Sequence, residues 1–276
     1  MHPPSAATLH ALAHASKRSA NNAQASTQHV QCEGQWYVIK WTQRKPWATA
    51  RSCLAALTCW LAFGECVAPS ALRTKGIQAE ARRLRALHAD GRRVPNVLLQ
   101  HEDYLVLNAV GTSLDRIIPQ LVAAEKIALF EQVVDDLADW HKRGHWHGGA
   151  QLRNVTLHQD KLYRIDFEEQ HGHLLSPTAT RVYDMLLFFG DALARLDADQ
   201  AISQGERLLQ RYLNQLPDAQ QTATKKQLQR LLRLLRPLVW VDTHCAHLTR
   251  RRDKQRVVRF AKVVHRVLSA PAVQAA

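Results

Sequence analysis

The chain has 276 residues, 46% of them apolar, and carries 37 Lys and Arg against 24 Asp and Glu, a formal charge of +13. Length and apolar content set aside a polypeptide without a core and suit one catalytic unit. The charge favours an anionic partner such as a phosphorylated glycolipid or a membrane surface, and the five cysteines, odd in number and without a Cys-x-x-Cys metal spacing, read as reduced thiols in a cytoplasmic setting.

Residues 1–31 contain no acid and include Lys17 and Arg18, a weak likeness to a transit peptide without the continuous apolar core of a secretion signal. The simpler expectation is an irregular arm leading into the first strand. After a turn at Glu33-Gly34, the run Trp36-Tyr37-Val38-Ile39-Lys40 is a β-rich strand ending in a lysine. Such a lysine suits nucleotide phosphates, or serves as an edge charge against aggregation.

Residues 46–69 hold an uncharged run of eleven, 53–63, bounded by Trp47 and Gly64. It is too short to span a bilayer and reads as a helix inserted after Lys40. It is expected to be buried between lobes, beside the Glu80 helix, or to dip into a membrane interface, where Trp is favoured. Residues 78–88 follow as a helix with Glu80, Leu84 and Leu87 on one face. Glu80 is placed to pair with Lys40. A longer helix covers residues 121–142, with Ile127, Phe130, Val134, Leu137 and Trp140 on its buried side.

The most specific stretch is His147-Gly148-Gly149-Ala150-Gln151-Leu152-Arg153-Asn154, with Asp166 twelve residues beyond Asn154. Between them, two short strands joined by the polar turn Gln159-Asp160-Lys161 form a hairpin that sets Asn154 beside Asp166. An Asn and an Asp so placed are the oxygen ligands that phosphoryl transfer requires for its metal ions. Read singly, they are also common turn residues. The order Lys40, Glu80, loop, Asp166 favours the first reading.

Basic residues concentrate in two later helices. Lys225, Lys226, Arg230, Arg233 and Arg236 lie in residues 225–238, where a solvated back is the simpler reading. Arg250, Arg251, Arg252, Lys254, Arg256, Arg259 and Lys262 flank and enter a shorter apolar helix, residues 257–268, the better membrane or substrate candidate. No aromatic stripe accompanies either, so nucleic acid is the weaker partner.

The segments around Glu80, Arg93-Val94-Pro95-Asn96, Asp103-Tyr104, Leu137-Ala138-Asp139-Trp140-His141, His147-Gly148, Asn154 and Ile165-Asp166-Phe167-Glu168, spanning roughly residues 36–190, resemble the Kdo and lipopolysaccharide-core sugar kinases. Those are relatives of RIO-type and aminoglycoside-type phosphotransferases. The resemblance implies an α+β, protein-kinase-like, two-lobed fold: a small antiparallel N-lobe over residues 1–107 and a mostly helical C-lobe over 108–276. It implies ATP and Mg2+ as cofactors, with Lys40 and Glu80 at the phosphates and the backbone of Asn108 and Val110 at the adenine. Asn154 and Asp166 would hold metal, Gln151 and Arg153 would line the acceptor side, and His147 and Asp184 would brace the loop. Two features depart from the family. Gly149 stands where its loop carries the catalytic Asp, and no Gly-rich loop precedes Lys40. The function implied is phosphorylation of a hydroxyl on an anionic glycolipid at the inner face of the membrane. The alternatives are a catalytically impaired pseudokinase that regulates a protein partner, or a protein kinase of the tRNA-modification-complex type.

Overall fold

Alternation in the strand Gln35–Trp41 (β2) buries Tyr37 and Ile39 on one side of a sheet and presents Val38 and Lys40 on the other. The computed structural model describes residues 5–19, 27–42, 48–72, 76–168, 171–245 and 252–269. Trp47, Arg250 and Arg251 fall outside them. β2 pairs antiparallel with Thr27–Cys32 (β1) and with Tyr104–Asn108 (β4), and Val97–Gln100 (β3) completes a four-stranded sheet of order β1-β2-β4-β3. The rest of the chain is mostly helical, so the class is α+β, with a small antiparallel sheet and a helical remainder, compatible with two lobes.

Each sheet face carries a helix. Gly76–Ala89 (α3) lays Ile77, Ala81, Leu84 and Leu87 against Leu105 and Leu107. The same cluster takes in Trp140 and Phe167 from the helical portion, so α3 is the joint between the two parts. The opposite face is covered by Ala6–Ser19 (α1), whose Leu9 and Ala13 pack on Tyr37, Ile39, Tyr104 and Val106. The expected irregular arm is therefore, over these residues, a docked helix, anchored further by a His10–Tyr104 hydrogen bond. The apolar side of β2 and β4 is the partner that stabilises it.

The apolar insert is a helix, Ala48–Phe63 (α2), but it does not sit beside α3. Its Cys59, Ala62 and Phe63 join the core of the helical portion. Gln227 donates to the carbonyls of Ala62 and Phe63, each at 3.4 Å, Phe63 meets Tyr183 edge to face, and Ser176 donates to Glu65. The burial partners of this helix, Tyr183 and Gln227, therefore lie more than a hundred residues later, beyond the expected boundary at 107.

In the helical portion, a short strand Thr112–Ser113 (β5) adds to the hairpin Val155–His158 (β6) and Lys161–Arg164 (β7), giving the order β5-β6-β7. Leu114–Ile117 (α4) follows β5. Ala123–Lys142 (α5) buries Phe130, Val134, Leu137 and Trp140 as its periodicity predicts. His171–Leu174 (α6), Pro177–Leu193 (α7), Gln200–Asn214 (α8), Asp218–His244 (α9) and Arg252–Ser269 (α10) complete the chain. Among the described residues, no helix is long and apolar enough to cross a membrane.

Candidate functional site

Lys40 lies one residue before the end of β2, on the α3 side of the sheet, and α3 delivers Glu80 to the same point. Lys40 Nζ donates to Glu80 Oε1 at 2.8 Å and Oε2 at 3.0 Å. It also donates to Asp166 Oδ1 at 2.9 Å, and Glu168 Oε1 stands 3.6 Å away. One ammonium thus faces three carboxylates. Burial alone would lower the Lys40 pKa, but Glu80, Asp166 and Glu168 outweigh it and hold the ammonium above its ordinary value. Burial pushes the Glu80 carboxyl up, with Lys40 opposing. Glu80 Oε1 also accepts the Phe167 N–H at 3.2 Å, which ties α3 to the segment after β7.

Asp166 adopts a left-handed backbone, φ 67°. Apart from glycine, Asn and Asp tolerate this region best, at a cost of about 1 kcal/mol or more. The turn aims the carboxylate at Lys40 instead of continuing the line of β7.

The loop between α5 and β6 is held from behind by α7. Asp184 is fully buried; its Oδ2 accepts the His147 N–H and its Oδ1 the Gly148 N–H, both at 2.7 Å. His141 Nε2 lies 3.2 Å from the same Oδ2, and His141 Nδ1 is 2.6 Å from the Tyr212 hydroxyl. Burial pulls the Asp184 carboxyl upward, but these hydrogen bonds and the neighbouring imidazoles outweigh it and leave its pKa below the ordinary carboxylate value. Seven residues along α7, Asp191 accepts the Leu152 N–H at 3.1 Å. Both ends of the loop are therefore fixed to one helix. His147 Nε2 sits 2.9 Å from the Ile165 carbonyl, and burial, with Arg164 nearby, pushes the imidazole down to about 4.

Asn154 and Asp166 line one cavity of about 320 Å3 together with Lys40, Val38, Leu107, Asn108, Val110 and Glu168. The Asn154 amide donates to the Gly149 carbonyl at 2.9 Å, so Oδ1 is its remaining acceptor. Gly149 itself is buried, and a Cβ built on it would lie 3.1 Å from Asn154 Nδ2 and 3.9 Å from the Asp166 carbonyl. Asn108 lines the cavity, although its side chain is committed to the Asn96 N–H at 2.6 Å. The Val110 carbonyl already accepts from the Thr156 hydroxyl.

A wider groove of about 1100 Å3 adjoins, lined by Trp36, Asp115, Arg116, Arg153 and His158 among others. Arg153 therefore faces the groove, whereas Gln151 lines neither cavity and its backbone serves the loop, accepting from the Asn154 N–H at 2.9 Å.

Three contributors escaped the sequence reading. Arg83 lies over the Trp146 ring, 3.3 Å from its centroid, and donates to the Trp146 and His147 carbonyls at 2.7 and 3.1 Å. Asp191 is the second loop anchor, and its spacing from Asp184 inside an apolar helix was the available signal. His141 is the third; it reads as a helix end, and nothing local points to Asp184.

No protein-family model matches the chain, and no curated protein matches it.

Proposed function

We propose that the chain is an ATP- and Mg2+-dependent phosphotransferase with a protein-kinase-like fold, of the lipopolysaccharide-core sugar kinase type, acting on a hydroxyl of an anionic glycolipid. The observation that carries this reading is Lys40, hydrogen-bonded to both Glu80 and Asp166 in a cavity that Asn154 also lines. Glu80 keeps the ammonium in place and charged, so it can meet nucleotide phosphates without reorganising. The purine would lie against Val38, Leu107 and Val110. Hard oxygen donors suit magnesium, and Asn154 Oδ1 with the Asp166 and Glu168 carboxylates are such donors, in a cluster whose negative charge exceeds that of its lysine. A bound Mg2+ would neutralise phosphate charge there. His147 and Asp184 hold the loop, and Arg153 reaches the acceptor side.

Gly149 favours a second reading, an impaired enzyme that binds nucleotide without efficient turnover. A positioned base contributes about 10²–10⁴-fold, and a dissociative transition state leaves the remainder to charge and positioning. Gly149 is outside the left-handed region, so an aspartate is admissible there if Asn154 yields by a few tenths of an ångström.

Thermal-shift titration with ATP, with and without Mg2+, tests the binding site. The expected result is a metal-dependent rise in melting temperature that Asp166→Ala removes; no shift at millimolar nucleotide overturns the proposal. ATP turnover then separates the two readings. A rise of about 10²-fold or more on Gly149→Asp identifies the natural loop as impaired.

A further inference from the structure

The helix α2 carries no charged side chain between Ser52 and Phe63. Its inner side is packed, but its outer side is not: Leu54, Leu57, Trp60 and Leu61 are 66%, 49%, 53% and 43% exposed. Positions 54, 57 and 61 follow helical spacing, and Trp60 flanks them, so the four make one stripe. The hydroxyl of Thr58 is turned back onto the Leu54 carbonyl at 2.9 Å and offers nothing outward.

Beside α2 runs α9, with the Arg230 guanidinium pressed against Gly64 at the end of α2. Arg230, Arg233 and Arg236 are exposed, and Leu234 and Trp240 join them on the outside. None of these arginines has an ion-pair partner among the described residues. The contrast with α10 is sharp. There Arg256 meets Asp191 at 3.0 Å, Lys262 meets Asp242 at 2.7 Å, Arg266 meets Glu206 at 3.0 Å, and Arg259 donates to the carbonyls of Leu193 and Leu196. Of the second basic cluster, the better membrane candidate by sequence, Arg256, Arg259 and Lys262 are thus already paired within the molecule. The first keeps its own.

We propose that the outer face of α2, with the adjoining arginines of α9, docks on an anionic phospholipid membrane. The inference goes beyond the nucleotide site and stands whether or not that reading holds. Leucine and tryptophan side chains on an uncharged helix enter the boundary between headgroups and acyl chains, where Trp is favoured. Arginines alongside meet lipid phosphates. A protein partner would ordinarily be held in register by outward polar side chains, and the α2 stripe has none. A free apolar stripe of this kind marks an interaction surface.

Flotation of the full chain with phosphatidylcholine vesicles, with and without phosphatidylglycerol, tests the proposal. The chain is expected to float with the anionic vesicles and to lose binding as salt rises. Arg233→Gln should weaken partitioning about fivefold and Trp60→Glu about tenfold or more. Both side chains are exposed, so each variant should keep the wild-type melting curve. Failure to bind anionic vesicles overturns the inference, as does binding that neither substitution reduces. A concentration-dependent dimer that Trp60→Glu dissolves assigns the stripe to a second copy and likewise overturns it.

Discussion

Asp184 and Asp166 are both carboxylates beside residues 147–154, and they are treated in opposite ways. Asp184 is wholly buried, and each of its oxygens accepts a short backbone N–H bond. Asp166 borders an open cavity on a left-handed backbone and shares one lysine with Glu80 and Glu168. The first arrangement is complete without a ligand and fixes the shape of the loop. The second accumulates negative charge where the backbone is least relaxed. Buried polar groups persist when every donor and acceptor is paired, whereas excess charge at a cavity is tolerated where solvent or a ligand can answer it.

Four measurements can break or sharpen that contrast. Asp184→Ala should cost about 3–5 kcal/mol by denaturant unfolding, because it strands two buried N–H groups and the His141 imidazole. A loss below about 1 kcal/mol would mean that the loop is not held by α7. Acid should come next. The His147 pKa in the fold is about 4, below the ordinary value near 6.5, so the unfolded chain takes up that proton first. This contribution is fully present above pH 6.5 and is lost as pH falls towards 4, by about 3 kcal/mol. His147→Asn should flatten the decline, as read from melting curves across that window. Lys40→Met should cost about 2–3 kcal/mol, since Glu80 can answer the loss of its cation by taking up a proton. It should also abolish any nucleotide-induced shift. Smallest is Asp166→Asn, which keeps a residue tolerant of positive φ and removes repulsion from Glu168. Its stability should stay within about 0.5 kcal/mol of wild type while the metal-dependent shift disappears.

Much of the site was legible because its signals are local. The strand ending at Lys40, the hairpin joining Asn154 to Asp166 and the helical face of Glu80 each follow from periodicity within a dozen residues. The pairing of Lys40 with Glu80 follows from their order. What could not be read depends on partners distant in the chain. Residues 6–19 look irregular until the apolar side of β2 and β4 is supplied. The α2 insert looks like part of the sheet-bearing half until Gln227 and Tyr183 appear beside it. Arg256 on α10 looks free until Asp191 is seen opposite it. Charge patterns in one helix do not say which charges are already spent in the fold.

The two anchors on α7 have a consequence for how this chain can vary. Asp184 and Asp191 stand close to two turns apart, so they project from one side of the helix like marks on a rule. One residue added between them would swing the second by about 100° and leave Leu152 unheld. Between residues 179 and 193 that helix has no exposed flank, and its length between the marks and the length of the loop they grip are free to change only as a pair.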